Sequence, residues 1–470
     1  MKEKTKVSVI GGGLAGCEAA FQLARNNIYV DLYEMRPFKM TPAHKTGGLG
    51  ELVCSNSFKG IKIQTAHGLL KEEIRFLGSI LMKIADFASL PAGGALAVDR
   101  DLFSRKIEEN IANNKYINLK RECIENFIPG PLIIASGPLT DKTLWDYLGD
   151  LIGNQLYFFD AVAPVVYFDS VDMSVAFKGS RYINYEVGDK NDCANKPEGE
   201  NKIEHIEHTT KGDYLNCPMN KNEYEIFYRE LVSAERISVK DFEKNMLFEG
   251  CMPIEEMADR GFDTIRFGPM KPVGFIDPRT GNQPFALVQL RQDNLAGTIY
   301  NMVGFQTRLK FSEQKRVFRM IPGLDKAVFA RYGVMHRNCY LNSPQILDKT
   351  LFIKQINQPV MAAGQITGVE GYVESIAIGL VAGLNMSRYI LGRKILDYPS
   401  DTMLGSLIEY ISGQTRLLNQ GCRGNFSPMP ANFGILPDIK VKRGPDKKSR
   451  KKQARAQRSF KSLSLFVEKL

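Results

Sequence analysis

The sequence predicts an α/β protein, a Rossmann-type nucleotide-binding domain into which an α+β substrate domain is inserted. Three observations carry that expectation. A strand, a glycine-rich turn, a helix and a second strand open the chain at residues 5–36. An apolar strand ending in a small-residue turn recurs at Pro131–Pro138, and a third such piece, followed by a helix rich in small residues, begins at Pro359. Pieces of one sheet separated by more than two hundred residues require the chain to leave the sheet and return. Residues 1–154 and 311–437 are therefore read as the two parts of the nucleotide-binding domain, 155–310 as the insertion, and 438–470 as a basic tail.

The bulk properties agree with this layout. At 470 residues the chain is too long for one compact core, and 44% hydrophobic with 24% charged residues is the composition of a folded protein. No run approaches the roughly 20 apolar residues of a membrane span, so no membrane partner is expected. The opening MKEKTKVSVIGGG passes from charge straight into a strand, without the apolar region of a signal peptide, which predicts a cytoplasmic protein. Eight cysteines with no CxxC pair read as reduced thiols. The polar stretch 187–212 reads as a surface loop; its Cys193, His205 and His208 lack the spacing of a zinc site, and no metal is expected.

Charge is uneven. Between Lys440 and Lys461 stand eleven Lys or Arg against the single acid Asp446, so this tail accounts for the whole net charge of +10. This asymmetry suggests a polyanionic partner, with a nucleic acid such as RNA as one candidate and Lys447, Lys448 and Arg450 as its contacts; a solvated tail is the equal alternative.

The opening turn carries the strongest chemistry. Gly11-x-Gly13-x-x-Gly16 follows a strand, opens a helix and precedes Glu34 at the end of the next strand. Gly11 permits the tight turn, Gly13 the approach of a pyrophosphate, and Gly16 close packing of helix on strand. Gly12, Leu14 and Ala15 complete the turn, whose helix N-terminus offers N–H groups to a diphosphate. Glu34 is placed to accept from ribose hydroxyls. The fingerprint alone leaves NAD and FAD open. The strand-turn PLIIASGP and the segment AAGQITGVEGYVESIAIGLVAG look like the elements that complete the FAD site of glutathione-reductase-like flavoproteins, which makes Gly364, Gly368, Gly371 and Tyr372 the candidates nearest the flavin.

Cys54 in ELVCSNS and Cys251 in FEGCMPIEE lie in polar or Gly/Pro-rich surroundings that suit exposed turns; Cys217 in YLNCPM is a rival. Together with VIGGGLAGCEAA, LYEMRP, TPAH, PAGGALAVDR, VQLRQDN, GFQTRLK and RYGVMHRN, these words closely resemble the folate- and FAD-dependent RNA uracil-5 methyltransferases from about Val7 to Pro437. The resemblance implies methylation of uracil C5 in RNA, with methylenetetrahydrofolate as carbon donor, NAD(P)H as reductant, and the T-loop uridine of tRNA as the expected target. It assigns Cys251 as the nucleophile and Cys54 as the partner that assists proton removal, and gives Cys217 no role. Arg260, Lys271, Arg291 and His336 stand in matched motifs and could lower a thiol pKa or hold phosphates; Arg291 is counted with the candidate RNA contacts. The chain departs from the pattern after TPAH, where Lys45 and Gly47-Gly48 replace a second histidine and an acid, and in the insertion at 187–212. These departures keep a uridine of ribosomal RNA open as target. A tRNA wobble-uridine modifier, a non-enzymatic RNA-binding flavoprotein and a small-molecule FAD reductase or hydroxylase are the remaining alternatives.

Overall fold

The computed structural model describes residues 6–153, 155–180, 212–237, 252–415, 426–442, 444 and 446–468. β1 (Lys6–Ile10), with Val7 and Val9 fully buried, pairs in parallel with β2 (Tyr29–Glu34) on one side and β7 (Leu132–Ile134) on the other. β6 (Ile117–Arg121) and β16 (Val360–Ala362) complete a five-stranded parallel sheet of order β16-β7-β1-β2-β6. The first two expected pieces and the distant third thus lie side by side. β1 sits where the strand order reverses, the position at which such sheets open a crevice at their carboxyl ends.

Two helices seal one face of this sheet through small residues. A Cβ on Gly379 would come within 2.3 Å of the Ala15 carbonyl oxygen, and one on Gly383 within 2.6 Å of that of Ala19. Backbone contact between the Leu14–Arg25 and Tyr372–Ile390 helices therefore requires glycine on the second, as the small-residue pattern suggests.

A three-stranded sheet of β3 (Ser57–Gly60), β5 (Ala95–Val98) and β4 (Ser89–Leu90) follows the opening unit. The chain then runs through β8 (Gln155–Ala161) and comes back through β15 (Met335–Leu341), which pair antiparallel as a two-stranded ribbon. Between them lies an antiparallel sheet, in order β10 (Phe177–Gly179), β11 (Tyr214–Met219), β12 (Ala286–Gln292), β13 (Ile299–Met302), β9 (Val165–Tyr167) and β14 (Phe329–Arg331). Its core joins Leu215, Phe227, Val288 and Leu290 to Val317, Phe318, Ile321, Leu324 and Ala327. This second core reaches past Lys310, where the sequence pattern places the end of the insertion, because the Phe311–Phe318 helix buries Val317 and Phe318 against this sheet.

The basic tail forms a helix, Lys447–Val467, that buries Ala456, Ser459 and Leu463 at helical spacing. Ser459 Oγ donates to the buried Glu73 carboxyl, whose oxygens also accept from the Met403 and Leu404 N–H groups at 2.8 Å each. Lys451 and Arg455 pair with Asp438, and Arg458 donates to the Pro437 and Asp438 carbonyls. Lys447, Lys448 and Arg450 point to solvent. Among the described residues no helix is long and apolar enough to cross a membrane.

Candidate active site

A cleft of about 1010 Å³, counting the space at its open mouth, lies at the carboxyl ends of β1, β2, β7 and β16. Its floor is the glycine turn. Gly11 has φ +107° and a Cβ there would meet the Ala135 carbonyl at 2.4 Å, while a Cβ on Gly16 would lie 1.8 Å from the Gly11 oxygen. Gly13 has nothing within 4 Å of its Cβ direction, so its surface faces open space. Gly13 is also the N-cap of the Leu14–Arg25 helix, with no side chain capping it, which leaves first-turn N–H groups for a ligand. The Ala135–Pro138 turn and Ala363, Gly364, Tyr372 and Ser375 form other walls. The residues the sequence places at one cofactor site therefore converge, except that Gly368 and Gly371 shape the turn behind the wall: Gly368 is left-handed (φ +83°) against Phe426, and Gly371 (φ +124°) starts the Tyr372–Ile390 helix.

Glu34 is buried beside the glycine turn. Oε2 accepts from Gly12 N–H at 3.0 Å and from Arg36 at 3.0 Å; Oε1 accepts from Arg36 N–H at 2.9 Å and Nε at 2.8 Å. Burial works against the charged carboxylate, but Arg36 and the two N–H donors outweigh it and hold Glu34 below its ordinary range. All four acceptor positions of the carboxylate are used. Arg36 also reaches Glu51 at 3.0 Å.

The Cys54 loop adjoins the cleft through the lining residues Val53 and Tyr372. Tyr372 Oη accepts from Cys54 N–H at 2.9 Å and Ser55 N–H at 3.1 Å. From the other sheet, Arg291 donates to Ser55 Oγ at 2.7 Å and Asn56 Oδ1 at 2.9 Å, and Asn56 Nδ2 donates to the Gln292 carbonyl at 2.9 Å. Arg100 donates to the Leu52 carbonyl at 2.6 Å and pairs with Asp293 at 3.2 Å. The loop is thus clamped between the Tyr372–Ile390 helix and β12. Cys54 Sγ donates to Asp160 Oδ2 at 3.4 Å. Burial, with the Asp160 and Glu370 carboxyls, pushes the thiol well above its ordinary range. Burial and Asp160 likewise raise Glu370, whose carboxyl accepts from Gln365 at 2.7 Å.

Other expected residues fall differently. Arg291 is 7% exposed and holds the Cys54 loop; its guanidinium is inside the protein, not on an RNA-facing surface. His336 is buried, and burial followed by Lys45 lowers its pKa, so it brings no positive charge near neutral pH. Arg260 is exposed and Lys271 half-buried. Cys217 is fully buried in β11, where burial pushes its thiol up to about 12. Cys251 lies outside the described residues, as do Cys193, His205 and His208. Metal-ligating types converge, among the described residues, at Cys123, Glu125 and Asp141, where Lys39 already pairs with Asp141 at 2.5 Å.

The sequence patterns do not single out Arg36, Asp160 and Glu370. Arg36 stands in the LYEMRP word and Glu370 between the glycines of GVEGY, so both carry a local signal; Asp160 carries none, since only the pairing of β8 with β15 brings it here.

The chain matches the family profile described as "Glucose inhibited division protein A" over residues 6–213 and 192–394. It is 52% identical over 464 residues to the methylenetetrahydrofolate-tRNA-(uracil-5-)-methyltransferase TrmFO of Heliobacterium modesticaldum, covering 98% of both chains. It is 50% identical over 468 residues to the protein of the same name from Natranaerobius thermophilus, covering 99% of both. GidA of Aquifex aeolicus, in its form II crystal, is similar with a TM-score of 0.66 at 17% identity, over 98% of this chain and 73% of that one; the likeness concerns the fold.

Proposed function

The chain belongs to the methylenetetrahydrofolate-tRNA-(uracil-5-)-methyltransferase family, and we propose that it methylates C5 of a tRNA uracil, at the T-loop uridine, using FAD in the cleft, methylenetetrahydrofolate as carbon donor and NAD(P)H as reductant. The names of the relatives favour tRNA over the ribosomal RNA alternative. The observation that carries the reading is that Tyr372, a wall of the cleft, holds Cys54 by two backbone hydrogen bonds, so the dinucleotide site and the thiol are one construction.

The cleft fits FAD. The open face of Gly13, the uncapped helix N-terminus behind it and the anionic Glu34 are the donor and acceptor set for a diphosphate and a ribose. When bound, FAD supplies the electrons and carries the one-carbon unit that becomes the methyl group. The protein's own residues prepare the uracil. C5 is a poor nucleophile, so the Cys251 thiolate adds at C6 to give an enolate, and the C5 proton is removed at Cys54. Tyr372 holds the Cys54 N–H, and Arg291 holds the Ser55 and Asn56 side chains beside it, as positioning residues. Phosphate contact falls to the solvent-facing Lys447, Lys448 and Arg450, since Lys451, Arg455 and Arg458 are engaged in docking their helix.

The test is mass-spectrometric mapping of 5-methyluridine in tRNA and ribosomal RNA from cells with and without the gene. Loss from the tRNA T-loop alone is expected, and complementation with Cys251→Ala should bind tRNA but leave the mark absent. If neither RNA loses the mark, the reading is wrong.

A further inference from the structure

We propose that Asp160 is the proton-accepting partner of Cys54, so that Cys54 relays the uracil C5 proton to a carboxylate and never has to act as a free thiolate. This rests on the functional reading above for the identity of the proton, but the thiol–carboxylate pair stands on geometry.

Cys54 Sγ and Asp160 Oδ2 are 3.4 Å apart, within reach of an S–H donor. Asp160 is 3% exposed on β8, opposite His336 in the ribbon, so its carboxylate is held beside the thiol by backbone pairing as well as by its own bond. The backbone that carries the thiol is fixed, because Cys54 N–H and Ser55 N–H are tied to Tyr372 and Ser55 Oγ to Arg291, and the thiol's own bond is to Asp160. The charged and titratable groups in the field of Cys54 are Asp160 on β8, Glu370 in the turn before the Tyr372–Ile390 helix, Tyr372 on that helix, Arg100 on its own helix and Arg331 on β14. The two acids outweigh the cations, which disfavours a resting thiolate. A base that is not ionised can still transmit a proton if it has an acceptor behind it.

The relay is balanced. As the C5–H bond breaks, its electron pair stays on the uracil ring and the proton forms a new S–H bond; the original S–H bond breaks and its proton forms an O–H bond on Asp160 Oδ2. Charge moves from the carboxylate to the ring, no thiolate accumulates, and no external oxidant or reductant takes part.

Two measurements on the full-length holoenzyme decide it. The first is the pH dependence of Cys54 alkylation by iodoacetamide, read by peptide mass spectrometry. Asp160→Asn should move the midpoint to lower pH, because a carboxylate that opposes ionisation has gone; Asp160→Glu should keep it near the parent position. The second is single-turnover methylation of tRNA, which should fall about 100-fold or more in Asp160→Asn and recover in part in Asp160→Glu, with tRNA affinity unchanged. An unshifted alkylation profile overturns the pair, and a shifted profile with unchanged methylation overturns the relay. Absence of methylation by the parent enzyme would instead sink the functional reading, and the alkylation profile would still decide the pair.

Discussion

The glycine turn and the neighbourhood of Cys54 bury carboxyl groups with opposite results. Beside the glycine turn Glu34, 5% exposed, is kept ionised by Arg36 and two backbone N–H groups. Near Cys54 Glu370, 7% exposed, has an amide donor and another acid for company, and it is held protonated together with the Cys54 thiol. Burial is common to both, so burial does not decide the charge; the donor beside the carboxyl does. One region is built to present a fixed anion. The other is built to store and pass protons.

The largest effect is expected at Arg36. Arg36→Met leaves Glu34 buried without its cation and is expected to cost about 3–5 kcal/mol, read by denaturant titration. It should also reverse a sign. In the parent the lowered Glu34 pKa contributes stability that is present above its ordinary value of 4.5 and is lost as pH falls through the lowered folded value. Without the guanidinium only the Gly12 and residue-36 N–H groups oppose burial; as at Glu73, N–H donors alone do not offset it, so the folded pKa rises above 4.5 and the contribution becomes a loss of stability as pH rises above that value. A variant whose melting temperature responds to acid as the parent's does would show that Arg36 is not what keeps Glu34 charged.

Glu73 offers an intermediate case, with two N–H donors and a hydroxyl but no cation, and burial pushes it up to about 7. Because the folded value lies above the ordinary 4.5, the native state binds the extra proton between these limits, so stability should fall as pH rises from 4.5 to 7. The slope from this one group is at most about 1.4 kcal/mol per pH unit. Thermal melts of Glu73→Gln across that range should lack this slope, although the lost acceptor lowers stability overall. The smallest effect is expected at Glu370: Glu370→Gln replaces a carboxyl that is already neutral and should change stability by about 1 kcal/mol or less, whereas a large loss would mean that the charged form matters there.

Much of the site is legible in short stretches of the chain. The glycine spacing and Glu34 announce a dinucleotide turn, because a tight turn, a phosphate approach and a close helix contact each need a missing side chain within a few residues of each other. Gly364 and Tyr372 stand out through the second strand-helix piece. Arg291 is misplaced by its sequence for an equally physical reason: along a chain, an arginine that binds phosphate and one that ties a loop to a strand look the same, and only burial tells them apart. The end of the insertion falls too early in the sequence pattern because the Phe311–Phe318 helix can be assigned to a sheet only by what its apolar face meets.

The sequence by itself determined the α/β class, the glycine turn with its acid, and the presence of Cys54 and Cys251 in recognisable words, since these depend on residues close together along the chain. Tertiary structure alone decided the ionisation beside the glycine turn, around Cys54 and at Glu73. The groups that control it, Asp160 and Glu370 for Cys54 and Ser459 for Glu73, come from segments up to 386 residues away, and a proton's free energy depends on distance in space, not in sequence.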